Sequence, residues 1–181
     1  AGTVAAGKTV RSCRAVCSVS GISGVGGFVC ENNGTVEISY ANTALDDPND
    51  WARAGSCAGF AEANAGTVRN CYCWYQASGF ADGFVCTNSG SIASCYAAPL
   101  GSQAVNPFTE QSGCSNCFGV GTGTSAGGVS NITLDDLAGS DIFRRLSGGN
   151  GIWTAGGTLP AYPFTQALGS ARKDHTNYPY P

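Results

Sequence analysis

Residues 27–36 have the sequence GFVCENNGTV, which returns as GFVCTNSGSI at residues 83–92, an offset of 56 from position 27 to position 83. The two copies align without a gap, and the common frame extends back to Cys17 and Cys73. Asparagine and glycine tolerate the positive φ angles of tight turns, and β-forming residues flank them. We therefore interpret each copy as a β-hairpin, and the repeat indicates two related units.

The strongest single strand candidate lies between the copies. Residues 67–76 are dense in β-branched and aromatic side chains, which favour extended structure. Side chains alternate along a strand, so Cys71 and Cys73 should share one face. Tyr72 and Trp74 should then share the other face.

Helical signals are few and short. Thr133 and Asp136 approximate a capping box, which predicts a helix that ends near Ser147. Brief helices are also predicted at residues 56–65 and 91–98. The sequence as a whole predicts a mainly β fold of the β-rich α+β class, with a short helix in its C-terminal part.

The repeat divides the chain into two parts. Residues 1–99 contain the two units, at 13–44 and 69–98. Residues 100–181 contain a loop rich in glycine and serine, a short helix, and a tail rich in proline and aromatic residues. A chain of 181 residues suits a single core, so we expect both parts to pack together as one domain.

Composition excludes several classes of partner. Charged residues make up 12% of the chain, the formal net charge is −3, and the basic residues are scattered. We therefore expect no nucleic-acid partner. No apolar run reaches the roughly 20 residues that a bilayer span requires, so no membrane span is expected. With 43% hydrophobic residues, the chain should fold rather than remain disordered.

Ten cysteines and the lack of methionine indicate an exported chain. We expect a secreted, extracellular protein whose signal peptide has been removed and whose cysteines form disulfides. Cys17 with Cys30, and Cys73 with Cys86, would close equivalent loops and pin the two hairpins. The pairing of the other cysteines is left open, and these are Cys13, Cys57, Cys71, Cys95, Cys114 and Cys117.

Two short patterns resemble metal sites, and neither is sufficient for a metal prediction. Cys114 and Cys117 have zinc-knuckle spacing, but only His175 could join them. A run of carboxylates could bind calcium, although the EF-hand spacing is absent and helix capping explains the same residues. That run comprises Asp46, Asp47 and Asp50.

Ser125 lies in a G-x-S-x-G motif, the pattern of the nucleophile elbow in serine hydrolases. Asp174 and His175 follow later in the chain, in the order that such enzymes use. The elbow needs a βαβ sheet, however, and the preceding chain lacks alternating strands and helices. Adjacent residues are also poorly placed to form the Asp–His pair of a triad. We therefore do not predict an enzyme.

Three further residues are candidates for contact with glycans. Trp74 could stack on a sugar ring, although packing in a core is where most tryptophans lie and is the favoured interpretation. Asn33 and Asn131 stand in sequons, which makes them possible N-glycosylation sites.

These observations favour a structural role. Small uncharged residues permit close packing between subunits, and no catalytic set of residues is complete. We predict a structural subunit of an extracellular assembly, such as a filament, a pilus-like appendage or a surface layer. Copies would associate through their termini. A secreted carbohydrate-binding module and a small secreted serine hydrolase are the alternatives.

Overall fold

The structure is a computed structural model in which most of the chain up to residue 148 and two short later segments are described. The fold is mainly β, as predicted, with two short helices, but the main sheets are parallel. The described residues are 2–20, 24–46, 57–78, 83–99, 107–108, 112–121, 125–137, 140–148, 152–154 and 164–165.

The strands are short, and they recur in the same order along the chain. Their bounds are β1 (Thr3–Val4), β2 (Thr9–Arg11), β3 (Arg14–Ser20), β4 (Val25–Gly26), β5 (Val29–Asn32), β6 (Thr35–Glu37), β7 (Tyr40–Asp46), β8 (Cys57–Ala58), β9 (Ala61–Asn64), β10 (Thr67–Arg69), β11 (Tyr72–Ser78), β12 (Val85–Asn88), β13 (Ser91–Ala93), β14 (Tyr96–Pro99), β15 (Cys114–Ser115), β16 (Cys117–Val120), β17 (Val129–Ile132), β18 (Trp153–Thr154) and β19 (Phe164–Thr165).

Each turn of the chain is here called a coil, and each of the first four coils adds one strand to each of three parallel sheets. The fifth coil adds β15 and β16, and the sixth adds β17. Sheet A has the order β1-β5-β9-β12, sheet B has β15-β13-β10-β6-β2, and sheet C has β17-β16-β14-β11-β7-β3. Strands that are neighbours in a sheet therefore belong to successive coils. This arrangement is a parallel β-helix, with β4-β8 as an additional parallel pair and β18-β19 as an antiparallel pair.

The sequence repeat occurs three times in the structure, not twice. Residues 60–72, FAEANAGTVRNCY, form a coil between residues 28–40, FVCENNGTVEISY, and residues 84–96, FVCTNSGSIASCY. The middle copy is difficult to recognise because Glu62 stands where the outer copies have cysteine. The spacing between copies also differs, since the connecting segments have different lengths.

The predicted β-hairpins are wrong. Within one copy, β5 and β6 belong to different sheets, and each pairs with the equivalent strand of the next coil. The N-x-G segment between them is a corner of the coil. The short helices predicted at 56–65 and 91–98 are also wrong, because those residues contribute strands to the stack. Pairing with neighbouring coils overrides the weak local preference of these segments.

The predicted hairpin-pinning disulfides are not formed. Cys17 and Cys73 lie on sheet C, whereas Cys30 and Cys86 lie on sheet A, so the loops that they were expected to close do not bring them together. No two of the nine cysteines whose side chains the structure describes are disulfide-bonded. The side chain of the tenth, Cys57, is outside the described residues.

The buried apolar side chains form two clusters, and the first of them fills the interior of the coils. It contains a column of stacked rings from successive coils, in which Phe60 lies 4.9 Å from Phe28 and 4.7 Å from Phe84 between ring centroids. Cys71 and Cys73 face this interior, as the alternation along residues 67–76 predicted. Burial of these columns in a close-packed interior is the main source of the stack's stability.

The second apolar cluster covers the outer face of sheet C. Tyr72 and Trp74 project to this side, which confirms the predicted facing of the strand. The helices α1 (Leu134–Leu137) and α2 (Ser140–Ser147) supply apolar side chains that bury it. The capping box is confirmed: the Thr133 hydroxyl accepts a bond from the Asp136 N–H at 3.0 Å, and the Asp136 carboxylate accepts one from the Thr133 N–H at 2.9 Å.

Candidate assembly interface

Polar side chains also form columns along the stack. The Asn32 amide donates to the Asn64 side-chain oxygen at 2.7 Å, and the Asn64 amide donates to the Asn88 oxygen at 2.7 Å. Asn32 and Asn64 are almost fully buried. Because Asn64 both accepts from Asn32 and donates to Asn88, and the Asn32 oxygen accepts from the Gly34 N–H, the column satisfies polar groups that would otherwise be costly to bury.

The corner between sheets B and C has the same backbone conformation in every coil. One residue at each corner has a positive φ, between 51° and 53°. Residues other than glycine enter this region rarely, so the recurrence shows that the corner geometry is required by the stacking. These residues are Ser12, Ile38, Asn70, Ser94 and Asn116.

On the outer face of sheet B, one carboxylate holds two arginines from adjacent coils. Glu37 lies 3.2 Å from the Arg11 guanidinium and 2.6 Å from the Arg69 guanidinium. The Arg11 side chain belongs to the first coil and is directed towards the second. Its charge is therefore partly neutralised along the stack.

The first coil leaves the stack open at one end. Within the described residues, β1 pairs only with β5, β2 only with β6, and β3 only with β7. All three sheets thus end at the same coil, and the outer edges of its strands have no strand partner in the described part of the chain. Unpaired strand edges of this kind are templates for pairing with another chain.

The backbone direction along β3 identifies the groups on this open edge. The Cys13 carbonyl accepts a bond from the Tyr40 N–H, so alternate residues, including Ala15 and Cys17, direct their backbone groups towards β7. Val16 lies between them and directs its N–H and C=O outwards. Its side chain is 44% exposed, which makes it the large apolar side chain with the highest exposure among the described residues.

The opposite end of the stack also has strand edges. β12, β15 and β17 are the last strands of sheets A, B and C in the described part of the chain. These three strands belong to the fourth, fifth and sixth coils, so this end of the stack is stepped. Described residues already contact the fourth coil, where the Phe84 N–H donates to the Pro107 carbonyl and the Asn88 amide donates to the Ser112 carbonyl. A second copy that stacks here would meet a stepped end. The chemistry available at the first coil is backbone hydrogen bonding and apolar packing.

The structure places the predicted glycan-stacking residue away from the surface. Trp74 is 1% exposed, and its indole N–H donates to the Tyr96 hydroxyl at 3.2 Å. Both faces of the ring are covered by the cluster outside sheet C, so they are not available to a sugar. A polar groove of about 460 Å³ lies near the asparagine column, and its described lining, which includes Glu31, Thr87 and Asn88, contains no aromatic side chain.

The proposed glycosylation sites differ in accessibility. Asn33 is exposed at the corner between β5 and β6, where an enzyme could reach its side chain. Asn131 lies in β17 with both its side-chain nitrogen and its oxygen buried. Accessibility therefore favours Asn33 over Asn131.

The hydrolase motif does not form a nucleophile elbow in the described residues. Ser125 precedes a turn, and its hydroxyl accepts a bond from the Asn131 N–H at 2.9 Å. No helix follows directly, since residues 129–132 form β17. Asp174 and His175 lie outside the described residues, so the rest of the predicted triad is not placed.

The predicted calcium run lies largely outside the described residues. Only the backbone of Asp46 is described, as the end of β7, and Asp47 and Asp50 are not. In the part of the chain that is described, no three histidine, cysteine or acidic residues are grouped as metal ligands. In the same part, no helix has the length and apolar character needed to cross a bilayer.

Comparison with known proteins does not assign the chain to a family. No protein-family model, no curated protein and no solved structure matched it.

Sequence reasoning missed the open edge, because it placed the strands in hairpins. The middle repeat copy at residues 60–72 is the sequence feature that indicates the open edge. Three equivalent copies predict three stacked coils, and such a stack has two ends.

Proposed function

We propose that this protein is a structural subunit of an extracellular assembly, in which the open end of one β-helix stacks on the end of another copy. The observation that carries the proposal is the simultaneous termination of all three sheets at the first coil. A partner that adds one coil would satisfy all three edges together.

The symmetry of such a contact favours a filament. The two ends of the stack differ, so the contact is heterologous, and a head-to-tail contact that does not close into a ring generates an open filament.

The side chains on the first coil support this contact. Val10 and Val19 are half-buried against the interior and extend its apolar columns to the open end.

The Arg11 charge on the first coil does not stand in the way of stacking. Charged residues on an edge strand commonly prevent edge-to-edge pairing. Arg11, however, is held against Glu37 on the outer face of sheet B. Its guanidinium is therefore directed away from the path of an incoming strand.

Secretion and self-association are part of the same proposal. The cysteine content supports an oxidising, extracellular location. The carbohydrate-binding and hydrolase alternatives have less support, because Trp74 is buried and the Ser125 hydroxyl is held by the backbone of Asn131.

A substitution at Val16 tests the edge directly. Val16→Pro removes an outward N–H without removing a bond to β7, because proline is tolerated on an edge strand whose N–H faces outwards. We expect sedimentation velocity to show that the unaltered protein associates as its concentration is raised. The Val16→Pro variant should need a protein concentration at least tenfold higher to reach the same degree of association.

The matched control is Val16→Thr, which keeps the β-branched shape and the backbone N–H. It should associate as the unaltered protein does. Equal association of the Val16→Pro variant, with its circular dichroism unchanged, would show that this edge is not the interface. An unaltered protein that stays monomeric at high concentration would contradict the proposed function.

A further inference from the structure

Four thiols form a continuous series at the corner between sheets B and C. Cys71, Cys95 and Cys117 occupy the same position in three successive coils, and each is fully buried. The Cys95 thiol lies within hydrogen-bonding reach of both the Cys71 and the Cys117 thiols. The Cys117 thiol is also within reach of the Cys114 thiol in its own coil.

The register of the sheets fixes the separation of these residues. On either side of the corner, Arg69 pairs with Ala93, and Tyr72 pairs with Tyr96, so Cys71 lies directly opposite Cys95. Adjacent strands are about 4.8 Å apart. Disulfides join Cα atoms that are roughly 4.4–6.8 Å apart, so the Cα separation expected at this corner permits a bridge.

The first coils do not extend the series. Ser39 occupies the equivalent position below Cys71, and its hydroxyl accepts a bond from the Cys13 N–H at 3.1 Å. Cys13 is therefore separated from Cys71 by a whole coil. The series begins at Cys71 and ends at Cys114.

Two pairing schemes are possible within the series. A bond between Cys95 and Cys117 would leave Cys71 and Cys114 at opposite ends. Bonds between Cys71 and Cys95, and between Cys114 and Cys117, would use all four thiols. The Cys95 sulfur lies towards Cys71, whose N–H donates to it at 3.4 Å. The Cys117 sulfur lies towards the coil of Cys95 in the same way, with the Ile92 carbonyl at 3.6 Å. We favour the second scheme because it pairs all four thiols.

We propose that in an oxidising environment this series forms two disulfides, Cys71–Cys95 between adjacent coils and Cys114–Cys117 within the fifth coil. The first bond joins two coils along the stack, and both bonds differ from the hairpin-pinning bonds, which the structure does not support. The inference is independent of the proposed function, because it concerns bonds within one copy.

The oxidation balances by thiol–disulfide exchange. For each bond, two cysteine thiols lose two protons and two electrons, and a small disulfide such as oxidised glutathione is reduced to two thiols. Burial raises the pKa of the Cys95 thiol well above its ordinary value, so little reactive thiolate exists in the folded state. The bonds should therefore form while the coils are still assembling.

Bond mapping tests the proposal on the chain secreted into an oxidising compartment and alkylated before digestion. Chymotrypsin cleaves after aromatic residues and distributes the four thiols over three peptides. These peptides are residues 61–72, 85–96 and 109–118. We expect the first two to be joined, and the third to carry an internal bond that makes it two hydrogen atoms lighter than its reduced form.

The second peptide also contains Cys86, so fragmentation must place its bond on Cys95. The variant Cys86→Ser should retain the same join, and the variant Cys95→Ser should lose it while keeping the internal bond of residues 109–118. Reduction of the unaltered protein should lower its melting temperature by about 5–15 °C. A join between residues 85–96 and 109–118, or complete alkylation of the four thiols, would overturn the proposal.

Discussion

At the scale of single residues, the stack depends on side chains that meet equivalent side chains in the next coil. The asparagine column and the phenylalanine column both span the three repeat copies. Alternation along a strand is a local property, so the facing of Cys71 and Tyr72 could be predicted from the sequence. The columns could not be predicted, because their members meet only when the coil lengths are known.

Asn64 occupies the middle of the asparagine column, so its replacement should affect two neighbours. Asn64→Ala removes one of the two acceptors of the Asn32 amide, which also donates to the Thr67 carbonyl, and removes the donor to the Asn88 oxygen. We expect a loss of about 2–3 kcal/mol in the free energy of unfolding, measured by urea denaturation. Asn33→Ala is the control, because Asn33 is exposed and lies outside the column, and it should change stability by less than about 0.5 kcal/mol. Equal losses of free energy of unfolding in the Asn64→Ala and Asn33→Ala variants would contradict a stabilising role for the asparagine column.

Gly66 lies at a coil corner that packs closely on the corner of the preceding coil. A Cβ atom at this position would overlap the Gly34 carbonyl, which belongs to backbone that cannot easily move. Gly66→Ala should therefore destabilise the protein by about 1–3 kcal/mol in the same measurement. Gly2→Ala should be nearly neutral, since nothing lies within 4 Å of the added methyl group. A neutral Gly66→Ala variant would show that the coils are not in contact there.

At the scale of elements, the sequence predicted the start of the C-terminal helical segment better than the partners of the strands. The capping box joins Thr133 and Asp136, which are three residues apart, so its geometry depends only on the local sequence. Each strand, by contrast, pairs with one in another coil, and the connecting segments vary in length. The N-x-G motif predicted a turn correctly but did not distinguish a coil corner from a hairpin.

The capping box should make the helix start sensitive to acid. Hydrogen bonds from the Thr133 N–H and hydroxyl lower the pKa of the Asp136 carboxyl. The native pKa is therefore below the unfolded one, so the stabilisation is complete above the ordinary value of about 3.9 and is lost as pH falls through the native pKa. Carboxyl NMR should show a titration midpoint below that value, and Thr133→Val should raise it. A native midpoint at or above the ordinary value would contradict the box.

At the scale of the whole molecule, the mainly β class could be predicted from composition and β-forming residues, whereas the parallel stack could not. Glu62 hides the middle repeat copy, and without that copy the chain contains two units instead of a series of coils. The open end of the stack can be inferred only when the series of coils has been recognised. The candidate interface was therefore missed together with the topology.

The most direct test of stacking between copies is electron cryomicroscopy of the native material at high protein concentration. We predict filaments in which the strands of the first coil lie beside the end of the next copy, with the spacing of about 4.8 Å continuing across the junction. Monomers alone, or filaments whose junctions do not involve the edges of β1, β2 and β3, would contradict the proposal.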